Sequence, residues 1–88
     1  MTSDQLQNLR QKIDALDEEI LRALAQRFIH VRTVREVKKS GGLPPLDEAR
    51  WQEVIKSRLA LAKELGLTEE FTKKLLAIIH ERSLDIEA

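Results

Sequence analysis

Cysteine is absent from this 88-residue chain, which excludes disulfides and thiolate chemistry. Histidine is scarce: His30 and His80 alone are too few for a histidine-based site, and no metal is expected. Neither sign of charge is in excess, because Lys+Arg 15 balances Asp+Glu 15. Without an overall basic field, nucleic acid is not an expected partner. No apolar run approaches the roughly 18 residues of a membrane span, and the polar opening MTSDQLQNLRQK lacks a signal-peptide core. The expectation is a soluble cytoplasmic protein with no membrane partner. Residues 1–88 are expected to form one domain, small enough that a monomer buries only a modest part of its surface, so a partner is plausible from the start.

Gly and Pro are few and clustered, and this organises the chain. From Ser3 to Ser40 there is neither, and Leu6, Leu9, Ile13, Leu16, Ile20, Leu24, Val31 and Val34 recur at 3/4 spacing, which predicts one long helix. Ser3 is its expected N-cap, Asp4 suits the positive end of the dipole, Lys38 and Lys39 suit the negative end, and Gly41-Gly42 stops it. About 36 residues at 1.5 Å each span about 54 Å. In SGGLPPLDEAR, Pro44 and Pro45 forbid helix and Asp47 is placed to cap the next one. Helix two runs to about Glu64 with Val54, Ile55, Leu59 and Ala62 inward. After Gly66, Thr68 with Glu69 and Glu70 starts a third helix carrying Phe71, Leu75, Ile78, Ile79 and Ile86. The fold class is therefore all-α, three helices. The shorter two, each roughly 27 Å, cover about half of the first. The uncovered apolar stripe points to a homodimer with associated long helices; a monomeric long-helix hairpin is the alternative.

Two cations interrupt that stripe. The 3/4 series 9, 13, 16, 20, 24, 27, 31, 34, 38 places Arg27 and Lys38 where apolar residues are due. Eleven residues is three turns, so they project from one face about 16 Å apart, close enough for long side chains to converge on a small anion. Something negative must face them, because unpaired buried charge is costly. The bland alternative is that a carboxylate of a neighbouring helix pairs with Arg27 while Lys38 snorkels at the helix end. Arg10 lies about 25 Å up the helix from Arg27. It can join the same ligand only from the other subunit of an antiparallel dimer.

Two smaller groups accompany these cations. Asp47 is most simply a cap, whereas Arg50, a cation in a first helical turn, is better explained by an anion nearby. Ser83 and Glu87 share a face of helix three at i,i+4, either as a solvated edge or as part of a site.

Taken together the chain resembles the all-helical chorismate mutase family. The resemblance runs through LRQKIDALDEEILRALAQR, the lysine eleven residues beyond that final arginine, PPLDEAR, GL and IIHERSLDIE. It implies an intertwined three-helix dimer converting chorismate to prephenate. It further implies that Arg27, with Arg10 from the partner subunit, holds the two substrate carboxylates. Lys38 would bind a carboxylate and the ether oxygen, Arg50 would add positive charge, and Asp47 would use its backbone N–H near the ring hydroxyl. Ser83 would contact a carboxylate, and Glu87 would donate to the ether oxygen. Lys38, Glu87 and Arg27 are thus the expected catalytic residues.

The chemistry suits the residues. A pericyclic rearrangement needs no nucleophile, metal or organic cofactor, and none is expected. It needs a dianion held in a reactive conformer and donors aimed at the ether oxygen, which arginine forks, Lys38 and a protonated Glu87 supply. The chain departs from the family pattern at two positions. Many relatives carry Gln where this chain has Glu87, and a carboxyl group donates only when protonated. Many relatives carry an acid or amide that binds the ring hydroxyl where this chain has Trp51, which suits a core or interface better. Trp51 keeps the related isochorismate-pyruvate lyase as an alternative. A non-catalytic helical dimerisation or regulatory module, with the charges in interhelical ion pairs, is the alternative from another class.

Overall fold

The computed structural model describes residues 3–88. Three helices make up nearly all of it: α1 (Ser3–Ser40), α2 (Glu48–Glu64) and α3 (Glu69–Glu87), with no strand among the described residues. The helix ends follow local chemistry. The Asp47 carboxylate accepts from the Arg50 backbone N–H at 3.0 Å and the Thr68 hydroxyl accepts from Phe71 N–H at 3.2 Å, so both shorter helices carry side-chain N-caps. Ser3 is already helical rather than a cap. At the end of α1, Leu43 N–H donates to Lys38 C=O and Gly42 N–H to Lys39 C=O. The end of α2 repeats this pairing with Leu67 to Ala62 and Gly66 to Lys63. Each is a Schellman closure whose left-handed position is a glycine, Gly42 at φ 67° and Gly66 at φ 79°.

The chain divides into two compact units, one ending at His30 and the other comprising Val31–Ala88. In the first, α1 buries nothing completely, and Leu6, Leu9, Ile13, Leu16 and Ile20 are all exposed. That is the apolar stripe expected from the sequence, and in the single chain it stays open to water.

The second unit is built on an α2–α3 hairpin. Val54 and Ala62 of α2 and Thr72 and Ser83 of α3 are buried, with Ile55 and Leu59 half-buried. Three of the four buried residues are small, which lets the two backbones approach closely. Each buried hydroxyl is satisfied on its own helix: Thr72 donates to Thr68 C=O at 2.8 Å and Ser83 to Ile79 C=O at 2.9 Å. Phe71, Leu75 and Ile78 do not face inward but are exposed, Ile78 by 67%. The apolar residues of α3 occupy two faces, and a single partner helix covers only the one carrying Thr72, Ile79 and Ser83. Within this unit Val31, Arg35 and Lys38 of α1 are half-buried, while Val34 is exposed. No described helix is long and apolar enough to cross a membrane.

Candidate active site

Lys38 sits in the last turn of α1, where the following loop folds back beside it. Its ammonium donates at 2.5 Å to Pro45 C=O and at 2.5 Å to Glu87 Oε1. The side chains are only 19% and 9% exposed, so the pair is shielded from bulk water, unlike the helix-surface ion pairs elsewhere in the chain. The prolines explain the first contact. Pro44 and Pro45 hold the loop extended, and a carbonyl that no helix or sheet claims is left for the lysine.

A cleft of about 280 Å³ opens beside this pair, lined by Lys38, Leu43, Pro44, Leu46, Asp47 and Glu48. The structure therefore brings together three of the expected site residues: Lys38 and Asp47 on one cleft, and the sequence-distant Glu87 on the Lys38 ammonium. Asp47 also serves as the cap that its sequence position predicts. One turn beyond it, Arg50 is exposed and directs Nη1 to Glu53 Oε1 at 3.3 Å, a pair open to solvent and available for exchange. Ser83 is buried, with its hydroxyl donated to Ile79 C=O. The two candidate site arginines of the first unit, Arg10 and Arg27, are exposed. Arg27 places its guanidinium 6.0 Å from the Phe28 ring centroid, at the outer limit of a cation–π contact.

Two features were not anticipated from the sequence. One is the Pro45 carbonyl as an anchor for Lys38; a lysine seven residues before a proline carries no recognisable signal. The other is a parallel stack between the Trp51 and His80 rings, with centroids 3.6 Å apart and planes 5° from parallel. Trp51 was expected in a core or interface and is half-buried; His80 had been counted only as an unlikely metal ligand. Among the described residues no group of three or more His, Asp or Glu is placed to hold a metal ion.

The chain is thus a three-helix protein that shields a lysine–carboxylate pair beside a small cleft, with further cations along its long helix. The comparison with known families is more definite: residues 9–88 match the family described as chorismate mutase type II, and the chain belongs to it. Among its relatives is a protein of Methanocaldococcus jannaschii named chorismate mutase, 30% identical over 80 residues that cover 91% of this chain and 81% of that one. Another is a bifunctional chorismate mutase/prephenate dehydratase of Aquifex aeolicus, 37% identical over 62 residues. That match takes in 70% of this chain but spans only 17% of the bifunctional protein's length.

Proposed function

We propose that the chain is a chorismate mutase. It would convert chorismate to prephenate by a [3,3] rearrangement as a cytoplasmic homodimer serving aromatic amino acid biosynthesis. The observation that carries this reading is the shielded Lys38–Glu87 pair at the edge of the cleft shared with Asp47. In the reaction the ether C–O bond breaks as a new C–C bond forms, and negative charge grows on the ether oxygen. A lysine ammonium held in place by Pro45 C=O is a preorganised donor for that charge. Glu87 adds a second donor when it carries a proton. In the ligand-free chain it accepts from Lys38, and it can donate to the ether oxygen only in its protonated form. Arg27, and Arg10 across a dimer interface, grip the substrate carboxylates in forked contacts, with Arg50 adding positive charge and Ser83 a carboxylate contact. The Asp47 backbone N–H meets the ring hydroxyl.

The dimer reading is supported by apolar surface on both units. Leu9, Ile13, Leu16 and Ile20 on α1, and Phe71, Leu75 and Ile78 on α3, are large side chains left in water by the single chain. Stacking of Trp51 on His80 supports a second reading, isochorismate-pyruvate lyase, because it changes the surface offered to a ring hydroxyl. Incubating the chain with each isomer and identifying the product decides between them. Prephenate from chorismate supports the mutase, and pyruvate released from isochorismate supports the lyase. Inertness toward both would leave the charges as structural ion pairs of a dimerisation module.

A further inference from the structure

The Trp51–His80 stack lies in helical register with the site. At 100° per residue, Asp47, Trp51 and Val54 fall within about 60° on α2, and His80, Ser83 and Glu87 within about 60° on α3. Trp51 is one turn from Asp47, and its backbone N–H donates to Asp47 C=O at 2.9 Å. The stacked rings thus lie one turn from Asp47 on α2 and one turn from Ser83 on α3, both assigned to the substrate. Their polar edges are unspent: among the described residues no hydrogen bond engages the indole N–H or either imidazole nitrogen. Among the described residues, the buried side-chain polar atom without a partner is Arg35 Nε. The ring nitrogens of half-buried Trp51 and His80 therefore reach solvent.

A ring hydroxyl has one proton to give and lone pairs to fill. A backbone N–H fills a lone pair, so the hydroxyl proton still needs an acceptor. Indole N–H cannot accept, whereas neutral imidazole can. Stacking fixes the imidazole plane while leaving its nitrogens at the rim. We infer that His80 is the specificity-determining acceptor for the substrate's ring hydroxyl and that Trp51 is a positioning residue acting through it. The inference rests on the mutase reading and deepens it, giving this chain a hydroxyl contact on α3 in place of one on α2.

The test compares chorismate with its analogue lacking the ring hydroxyl, as a ratio of kcat/KM, in the full chain and three variants of verified helicity. The wild-type chain prefers chorismate by roughly tenfold, the worth of one hydrogen bond. His80→Phe keeps a stacked ring but removes the acceptor, and the ratio falls to about one. His80→Gln restores an acceptor and most of the preference. Trp51→Ala frees the imidazole and lowers the ratio part way. A purely structural role for the stack would slow both substrates alike and leave the ratio unchanged. An unchanged ratio in His80→Phe, or full loss in Trp51→Ala alone, overturns the inference while the mutase reading stands. If the wild-type chain consumes neither compound, both readings fall together.

Discussion

Glu87→Gln probes the site most sharply, because it separates charge from hydrogen bonding at the atom that touches Lys38. Glu87 is 9% exposed and accepts from Lys38 Nζ at 2.5 Å. Leaving one charge of so shielded a pair without its partner would cost about 3–5 kcal/mol. The amide still offers an oxygen to Lys38, however, and Pro45 C=O remains as its second acceptor, so the expected loss is about 1–2 kcal/mol. For a chain of this size that lowers Tm by roughly 5–10 °C. Catalysis should move the other way. The wild-type carboxyl donates to the ether oxygen only with a proton on it, and that proton is lost as pH rises. Wild-type kcat/KM should therefore fall toward higher pH, whereas the amide donates at every pH. The variant-to-wild-type ratio therefore rises with pH. The assay is the loss of chorismate absorbance between about pH 5 and 8. Parallel profiles for the two proteins would remove Glu87 from the mechanism.

Other outcomes follow from the same geometry. Lys38→Ala removes the donor anchored on Pro45 C=O and should lower kcat by at least about 100-fold, with helicity by circular dichroism largely kept. Arg27→Lys keeps the charge but not the fork, so KM for chorismate rises about tenfold or more; a normal KM would reassign Arg27 to structure. Ile13→Asp places a charge in the exposed stripe of α1 and should convert a dimer to monomer in sedimentation velocity; an already monomeric wild-type chain would contradict the dimer. Gly42→Ala meets no side chain, since nothing lies within 4 Å of the added Cβ. Its left-handed φ of 67° alone should cost about 1 kcal/mol in denaturant unfolding.

How far the sequence carried these conclusions depends on which forces it displays. The helices were legible because their signals are local: the Gly- and Pro-free run of α1, the Asp47 and Thr68 caps, and the glycines at 42 and 66. The inward faces were only partly legible. Val54 and Ala62 are buried as the spacing suggests, whereas Phe71, Leu75 and Ile78 are left in water. Hydrophobic periodicity shows that a face must be covered; it does not say whether the same chain covers it. The link from Lys38 to Glu87 joins residues 49 apart. No periodic rule encodes such a contact, and only the resemblance of the motifs put both residues in one site. The Trp51–His80 stack likewise depends on how α2 and α3 pack, which pattern alone does not register.

The central claim is the rearrangement itself. The most direct measurement is to incubate the purified chain with chorismate near pH 6 and identify the product by mass-resolved chromatography and by its acid-catalysed aromatisation. The account predicts enzyme-dependent prephenate, lost in Lys38→Ala. Chorismate that persists at the uncatalysed rate, with the chain folded and dimeric, would contradict it.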